Sequence, residues 1–523
     1  MSDFMNALEK QANSDANNVS ITENGAVGLK TTGSKLVDLN FMLSSMRNMD
    51  EDAIWAKFLE AYAENQKLAV IWLFFARDRE QGVGERRTFR VIFEHLCNEN
   101  PSLCINLIPL IPFYGRWDDV VDIIFAKVPC KVREAAFQFV EAQLLDDLAI
   151  ARKGGKVSLL AKWMPSPATS SAETCRRANV LRCMLGWTPK QYRKSLAKLR
   201  KVIGVVEQDM SANKWECINY EHVPSRAAMN YRDAFRRHDE ARYDEYLESV
   251  KSGEAKIHAG VLFPYDIVHA YMTEYASHVK PLNDTLEEQW KALPDTVGDE
   301  SSTLVVIDGS GSMGSVIGNT RVTCHDVARA LGIYFAERLK GVFHNRFITF
   351  SAKPQLVAMN DNLSLHGKIE LVAGYDECSN TDIEKTFDLI LDTAVNNNLK
   401  QDELPRNILV VTDGEFDQMT WRGGYGWWGR KDLGAVNETL FETIRKRWAD
   451  AGYKLPRLVF WNVCSRTGTI PVSENELGVA LVSGFSPNIA KMVMSGRLNP
   501  YECLLDQLLS GRYAIVEEAL LKE

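Results

Sequence analysis

The chain has 523 residues, which is too long for one ordinary core, so two or three domains are expected. Hydrophobic residues make up 46% and charged residues 25%, and the net charge of −8 excludes a global attraction to nucleic acid or anionic membranes. Ten scattered cysteines without a Cys-x-x-Cys pair argue against zinc and redox chemistry. The sequence has no long apolar run and no N-terminal signal pattern, so a cytoplasmic protein without membrane contact is expected.

The first half of the chain has a helical pattern. Residues 1–20 are polar and are predicted to be disordered. In residues 21–280 apolar side chains recur at helical spacing, and breaks containing Gly or Pro separate the predicted helices. Helix pairs without strands between them predict an all-helical array of HEAT-like repeats. The predicted helices cover residues 51–77, 85–98, 103–111, 117–127 and 131–150.

The second half alternates between strands and helices. Residues 281–300 are predicted to be a linker, residues 301–499 an α/β domain and residues 500–523 a C-terminal helix. The alternation predicts a mostly parallel, doubly wound sheet that binds ligands at the carboxyl ends of its strands. The predicted strands are Leu304–Ile307, Phe347–Phe350, Gln355–Ala358, Ile408–Thr412, Arg457–Val463 and Val479–Ser483.

Oxygen-bearing side chains follow two of these strands. Asp308, Ser310 and Ser312 stand two residues apart directly after the first strand, and Asp413 ends a later one. Thr381 precedes a helical pattern between them. Hard oxygen ligands suit Mg²⁺ (or Mn²⁺) better than zinc. A simple cluster of turn and helix-capping residues is the alternative interpretation.

Asp-x-Ser-x-Ser, a loop Thr and a strand-end Asp, in this order, resemble the metal-ion-dependent adhesion site (MIDAS) of von Willebrand factor A domains. In that family the first Asp, both Ser and the Thr bind the ion directly or through water, and the second Asp usually acts through water. The resemblance implies these roles for Asp308, Ser310, Ser312, Thr381 and Asp413. It also implies an open coordination position that an acidic residue of a protein partner fills.

Several runs in the helical half resemble a domain-of-unknown-function family that joins a helical half to a von Willebrand A half. Its layout is similar to that of the Ro autoantigen (TROVE) proteins, in which a ring of HEAT-like repeats binds RNA. The resemblance implies RNA, structured or single-stranded, as a partner of the helical half. The runs are Arg77-Asp78, Gly82-Val-Gly84-Glu85-Arg86, Tyr114-Gly-Arg-Trp-Asp-Asp119, Leu160-Ala-Lys-Trp-Met-Pro-Ser166, Tyr192–Arg200 and Val223-Pro-Ser-Arg226.

A local excess of positive charge marks residues 176–256, where 17 Lys and Arg face 11 Asp and Glu. This stretch either contacts phosphates or is a solvated helix face. Arg86 and Arg116, beside Glu85 and Asp118, are expected to form buried ion pairs instead. The residues predicted to contact RNA are Arg193, Lys194, Lys198, Arg200, Lys201, Arg232 and Arg236.

An aromatic, Gly-rich loop follows the strand that ends at Asp413. Its side chains Trp421, Tyr425, Trp427 and Trp428 are predicted either to bind a ligand, by stacking on bases or clamping a peptide, or to pack on their own domain.

Three functions are consistent with these features. The first is a Ro-like protein that binds RNA or a ribonucleoprotein through its helical half and has a Mg²⁺ site in the other half. The second is a protein-only scaffold that uses the same metal site. The third is a Mg²⁺-dependent phosphohydrolase, but phosphatases of the haloacid dehalogenase type need a second Asp where this chain has Ser310. The sequence therefore favours a binding protein over an enzyme.

Overall fold

The chain forms two compact units. The structure is a computed structural model, and it describes residues 18–22, 27–273, 278–299, 302–350, 353–375, 383–414, 440–471, 478–489 and 499–521. One unit comprises Met1–Ala69 and Leu262–Leu509, and the other comprises Val70–Val261 and Ser510–Glu523. The prediction of a helical region followed by a mostly parallel sheet is confirmed. This division differs from the predicted domain limits at both ends of the chain, because helical spacing does not tell which core a segment packs against.

The sheet unit begins with a segment from the N-terminus. Strands β1 (Val19–Ile21) and β2 (Val27–Leu29) form an antiparallel pair, and helices α1 (Lys35–Phe41) and α2 (Glu51–Glu64) follow. The helix predicted over residues 51–77 is interrupted at Asn65. This residue has an extended backbone (φ −154°, ψ 97°), and its side chain accepts a hydrogen bond of 3.0 Å from the N–H of Leu68 in the next helix.

The helical unit is built from helices of 4 to 27 residues with mostly aromatic and aliphatic buried faces. Trp72, Phe74, Phe75 and Phe89 are buried in its core. None of the described helices is long and apolar enough to cross a membrane. The helices are α3 (Gln66–Arg77), α4 (Arg87–Glu99), α5 (Pro101–Leu107), α6 (Ile111–Tyr114), α7 (Trp117–Phe125), α8 (Cys130–Arg152), α9 (Leu160–Trp163), α10 (Ala172–Met184), α11 (Pro189–Ile203), α12 (Val206–Ser211) and α13 (Ser225–Lys251).

The predicted linker at 281–300 contains a packed helix instead. After α14 (Pro264–Tyr271), helix α15 (Asp284–Lys291) buries Leu286 and Trp290. Its Glu287 accepts hydrogen bonds from the hydroxyl of Tyr271 at 2.7 Å and from the N–H of Leu365 at 2.7 Å. Glu287, one of the acidic residues that indicated a linker, therefore accepts hydrogen bonds within the sheet unit.

Six strands form the sheet in the order β5-β4-β3-β6-β7-β8, and all neighbours are parallel except β4 and β5. The central strands are continuous apolar runs, as expected for strands covered on both faces. The elements are β3 (Thr303–Asp308), α16 (Cys324–Arg338), β4 (Arg346–Phe350), β5 (Leu356–Ala358), α17 (Leu365–Ala373), α18 (Ile383–Asn396), β6 (Asn407–Thr412), α19 (Leu440–Asp450), β7 (Arg457–Asn462) and β8 (Val479–Ser483).

The predicted C-terminal helix is two helices that belong to different units. Helix α20 (Pro500–Leu508) packs in the sheet unit, and α21 (Ala514–Leu520) packs in the helical unit. A one-turn segment, Gly511–Tyr513, lies between them.

Candidate metal centre and cationic helix face

The candidate metal ligands lie where β3 and β6 end. These strands are parallel neighbours whose register pairs Ile307 with Val411, so Asp308 and Asp413 leave the sheet at the same edge. The chain runs from β3 outward to β4 and β5 and then returns to the other side of β3 at β6. Open α/β sheets bind ligands at the carboxyl ends of strands where the direction of winding changes in this way.

Two hydrogen bonds orient the carboxylate of Asp308. The N–H of Ser310 donates to Oδ1 at 2.9 Å, and the hydroxyl of Thr412 donates to Oδ2 at 2.6 Å. The hydroxyl of Thr412 in turn accepts from the N–H of Gly414 at 3.0 Å. An ionised carboxylate offers about four lone-pair positions, so these two bonds leave room for a cation. Sequence reasoning missed Thr412, whose position beside a strand-end Asp was the available signal.

The hydroxyls of Ser310 and Ser312 converge, with their Oγ atoms 3.0 Å apart. Ser310 precedes one turn of 3-10 helix, Gly311–Gly314, and the buried side chain of Met313 anchors that turn. The Nε2 atom of His325 lies 3.1 Å from the carbonyl oxygen of Ser310. The loop is thus held from two sides, with both hydroxyls close together.

Asp308 and Asp413 are two buried carboxylates of like charge, 1% and 0% exposed. Burial, and then the charge of Asp413, raise the pKa of Asp308 to about 7, while the hydrogen bond from Thr412 acts in the opposite direction. A divalent cation opposes both effects, and two carboxylates with two hydroxyls form a donor set that fits Mg²⁺ or Mn²⁺. Among the described residues no group of three or more His, Cys, Asp or Glu side chains is placed to hold a metal.

Two buried thiols lie near the carboxylates. Cys324 is the first residue of α16, and Cys464 follows β7 by two residues. The hydrogen bond between the two thiols, together with burial, raises the pKa of Cys324, and the same hydrogen bond lowers the pKa of Cys464. The negative charge of Asp413 acts on both thiols, which places them close to the candidate metal centre.

The N-terminal segment completes this edge of the sheet. The hydroxyl of Ser44 donates to the carbonyl oxygen of Asn462 at 3.0 Å, and its N–H donates to Oγ of Ser483 at 3.0 Å. Asn462 and Ser483 are the last residues of β7 and β8. The side chain of Asn48 accepts a hydrogen bond from the N–H of Gly318, in the loop after β3. No motif in the sequence indicated that this segment contributes to the edge.

Five of the predicted site residues lie outside the described residues. They are Thr381 and the aromatic loop residues Trp421, Tyr425, Trp427 and Trp428.

In the helical unit, α11 presents an exposed cationic face. At 3.6 residues per turn, four of its lysines fall within roughly 80° of one another, on the side opposite the buried Tyr192, Leu196 and Leu199. None of the four makes a side-chain hydrogen bond or ion pair with any residue that the structure describes. We use the name lysine face for the exposed surface that consists of Lys190, Lys194, Lys198, Lys201 and the neighbouring Arg193.

The other predicted RNA-binding residues have partners within the helical unit. Arg200 donates three hydrogen bonds of 2.6 to 2.9 Å to residues of the segment 161–166, and burial lowers its pKa. Arg236 donates to Asp244 at 3.1 Å, and Arg232 donates to the carbonyl oxygen of Met229. The structure thus separates Arg200, which braces its neighbours, from the solvent-facing lysines of the same helix.

Fold and site together define a class of protein: a helical unit joined to a mostly parallel sheet unit with an oxygen-donor centre at the carboxyl edge of its strands. Two family models match consecutive parts of this chain, both described as domains of unknown function. Residues 302–504 match DUF7788, and residues 183–303 match DUF2828. The predicted resemblance to a domain-of-unknown-function family is confirmed to this extent, through two separate families.

An uncharacterized protein of Acanthamoeba polyphaga mimivirus is 28% identical over 528 residues, which cover 94% of this chain and 87% of the viral protein. The crystal structure of the Deinococcus radiodurans Ro (RSR) protein aligns with 91% of this chain and 93% of its own length. The sequence identity is 14% and the TM-score is 0.33, values too low to establish a shared fold or function.

Proposed function

We propose that the sheet unit binds a divalent cation, Mg²⁺ or Mn²⁺, through Asp308, Ser310, Ser312 and Asp413. The observation that carries this proposal is the convergence of two buried carboxylates and two hydroxyls at the carboxyl edge of the sheet. Thr381 is a further proposed ligand, on the resemblance to the adhesion-type site alone. The bound ion would supply a positive charge with an open position, to which a carboxylate of a partner binds.

This site is proposed for binding and not for catalysis. A phosphohydrolase of the haloacid dehalogenase type would need a carboxylic acid two residues after Asp308 to protonate its leaving group. This chain has Ser310 there, whose hydroxyl is too weak an acid for that role. The oriented carboxylate of Asp308 serves instead to hold the cation.

Calorimetry with Mg²⁺ and Mn²⁺ tests the metal site. A cation at 100 times its Kd should stabilise the folded protein by about 2.7 kcal/mol. Asp308→Asn should abolish this gain, since it removes one of the two charged ligands while keeping the shape of the side chain. Asp450→Asn, an exposed site in the same unit, is the matched control. Unchanged ion affinity in Asp308→Asn would show that the cation binds elsewhere.

We further propose that the helical unit binds RNA through the lysine face. The observation that favours this second function is that its four lysines are exposed on one side of α11 without acidic partners among the described residues. Such a face attracts phosphates without reading sequence. Arg200, Arg232 and Arg236 are left out of the proposed contacts because their guanidinium groups have partners in the protein.

RNA affinity measured against salt concentration tests this surface. Each phosphate contact should contribute roughly 0.7–0.9 to the slope of log K against log salt. Replacing Lys194, Lys198 and Lys201 by Glu should leave the helix folded, because Glu is a good helix former, and should remove RNA binding for all sequences. The control is the same exchange at the exposed Lys127, Lys131 and Lys153. If the wild-type protein retains no RNA at low salt, the protein-only scaffold, with an acidic partner residue at the metal, becomes the better proposal.

A further inference from the structure

Arg200 is a half-buried arginine of α11 whose guanidinium binds only neutral oxygens of the described residues. Its Nε donates to the carbonyl oxygen of Ala161 at 2.9 Å, and its Nη2 donates to that of Met164 at 2.7 Å. Its Nη1 donates to Oγ of Ser166 at 2.6 Å. Burial lowers the pKa of Arg200, and no carboxylate in the part of the chain that the structure describes forms an ion pair with it.

Other guanidinium groups of the helical unit pair with acidic side chains. Arg77 donates to Asp119 at 2.9 and 2.6 Å, and Arg116 donates to Asp118 at 2.9 Å. A cation removed from water without such a partner keeps the cost of its lost hydration, so an anion beside Arg200 is favoured. A guanidinium has five N–H donors, and Arg200 uses three of them on these neutral oxygens, which leaves two for an anion.

Oγ of Ser166 is placed to carry that anion as a covalent group. Ser166 precedes Pro167, and the sequence has two other positions where Ser or Thr precedes Pro, Thr188 and Ser486. Ser486 is fully buried, and the hydroxyl of Thr188 accepts from the N–H of Gln191 in the cap of α11. Of these three hydroxyls, that of Ser166 is the one that accepts a hydrogen bond from a guanidinium among the described residues.

The segment that contains Ser166 is accessible to another protein. Residues 165–171 form neither helix nor strand, and residues 168–171 are exposed. Within the described ranges, residues 165–170 make no backbone–backbone hydrogen bond, and Ser166 and Pro165 are held by the side chains of Arg200 and Tyr192. A residue before proline favours an extended backbone, the conformation in which peptides commonly bind to protein kinases. This segment can therefore enter a kinase active site while the helices on either side stay folded.

We propose that Ser166 is a phosphorylation site whose phosphate pairs with Arg200. A proline-directed serine/threonine kinase transfers the γ-phosphoryl group of ATP to Oγ of Ser166. A bond from Oγ to phosphorus forms, the bond from that phosphorus to ADP breaks, and the hydroxyl proton passes to the base of the kinase. The phosphate brings about −1.5 to −2 charges, and its oxygens accept from the two N–H groups of Arg200 that the neutral oxygens leave unused.

Phosphorylation therefore ties the segment 161–166 more firmly to α11. Ser166 belongs to neither the metal centre nor the lysine face, and Arg200 is not among the proposed RNA contacts. The modification is thus independent of both proposed functions.

Incubation of the folded, full-length protein with a proline-directed serine/threonine kinase and ATP is the first test. Mass spectrometry of the peptides should find phosphate on Ser166, and this signal should be absent from Ser166→Ala. A folded protein that acquires no phosphate at Ser166 overturns the proposal.

The pairing with Arg200 is tested in full-length protein that carries phosphoserine at position 166. The comparison is the same protein with phosphoserine at position 170 instead, an exposed serine of the same segment. The second pKa of phosphoserine is about 6, and a neighbouring guanidinium lowers it because the positive charge favours the dianion. Titration followed by ³¹P NMR should give a pKa about one unit lower at position 166 than at position 170. Equal pKa values at the two positions would exclude the pairing and overturn the proposal.

Thermal unfolding separates pairing from a structural role of Arg200. Phosphate at position 166 should raise the Tm of the helical unit by roughly 3–10 °C, as expected for hydrogen bonds between charged groups. Arg200→Gln should unfold at a lower temperature with or without phosphate, since three hydrogen bonds are lost, but the gain from the phosphate should vanish. Arg133→Gln, an exposed change in α8, should keep the gain.

A gain from the phosphate that persists in Arg200→Gln, or no gain in the wild-type protein, contradicts the pairing. If Arg200→Gln does not fold, the comparison of pKa values at positions 166 and 170 decides, because it needs no change at Arg200.

Discussion

The guanidinium of Arg512 donates two hydrogen bonds of 2.8 Å to the carboxylate of Asp78, although 434 residues separate the two in the sequence. The hydroxyl of Tyr513 donates to the same carboxylate at 3.1 Å, and the hydroxyl of Tyr114 donates to the carbonyl oxygen of Arg512 at 2.8 Å. The side chain of Asp78 is fully buried. The last residues of the chain are therefore a structural part of the helical unit.

Replacing Arg512 by Ala should destabilise the helical unit by about 3 kcal/mol, because it leaves the buried charge of Asp78 without the guanidinium that pairs with it. Hydrogen exchange of the amides in α3 to α8 would measure the loss in this unit alone. Glu518→Ala, an exposed change in α21, should alter stability by no more than about 0.5 kcal/mol. Equal protection in the two variants would mean that the C-terminal segment is dispensable.

Asp119→Asn should also destabilise the helical unit by about 3 kcal/mol near neutral pH. Burial alone raises the pKa of Asp119, but the charges and hydrogen bonds of Arg77 and Arg90 outweigh burial and hold this pKa below its usual range. A carboxyl whose folded pKa is depressed stabilises the protein above its unfolded pKa, about 3.9, and loses that contribution as the pH falls through the folded pKa.

The difference in unfolding free energy between the wild type and Asp119→Asn should therefore be constant above about pH 5 and shrink below about pH 4. Urea unfolding across this range measures it. Asp146→Asn, an exposed change in α8, should show neither the loss nor the pH dependence. A difference that grows towards low pH would contradict the assigned direction of the shift.

The strands, and the common edge at which Asp308 and Asp413 lie, could be predicted because their signals are local. An apolar run that stops at Asp308 and another that stops before Asp413 indicate strand ends, and parallel strands end at one edge. The hydrogen bond from Thr412 to Asp308 could not be predicted, since it depends on which strands pair and joins residues 104 positions apart. The placement of the terminal segments was missed for the same reason, because an amphipathic helix does not reveal which core it covers.

The cationic face shows a finer limit of sequence reasoning. Lys198, Arg200 and Lys201 are near neighbours in one basic stretch, and the sequence assigned them one role. In the helix, the side chain of Arg200 lies at the border of the buried face, where its guanidinium donates hydrogen bonds to the carbonyl oxygens of Ala161 and Met164. The two lysines face solvent. The angular position of each residue around the helix axis separates the solvent-facing lysines from Arg200. The groups to which Arg200 donates are known only from the packing of the segment 161–166 against the helix.

Ser44→Ala should destabilise the sheet unit by about 1–3 kcal/mol, since it removes buried hydrogen bonds to β7 and β8. The hydroxyl of Ser44 bonds to the carbonyl oxygen of Asn462 at 3.0 Å and to Oγ of Ser483 at 2.8 Å. The next residue supplies the control, because the buried hydroxyl of Ser45 makes no hydrogen bond in the described part of the chain. Ser45→Ala should therefore be neutral or slightly stabilising. Equal losses in the two variants, measured by thermal unfolding, would contradict the role of Ser44.

Thr412→Val should weaken the binding of Mg²⁺ or Mn²⁺ by roughly 10–100-fold, the usual effect of losing a group that orients a metal ligand. Valine keeps the shape of threonine but removes the hydroxyl that donates to Oδ2 of Asp308 and accepts from the N–H of Gly414. The carboxylate would then be free to turn away from the hydroxyls of Ser310 and Ser312. Calorimetry gives the affinity, and thermal unfolding without metal separates a general loss of stability from a specific loss of binding.

Thr303→Val is the matched control for this change. Thr303 lies at the opposite end of β3, is equally buried, and its hydroxyl accepts a hydrogen bond of 3.1 Å from Asn407. This substitution should therefore cost stability without changing the affinity for the ion. If Thr303→Val and Thr412→Val lower metal affinity to the same extent, the effect comes from a weakened sheet. If only Thr412→Val lowers it, the hydrogen bond between β6 and β3 positions the carboxylate at the metal centre.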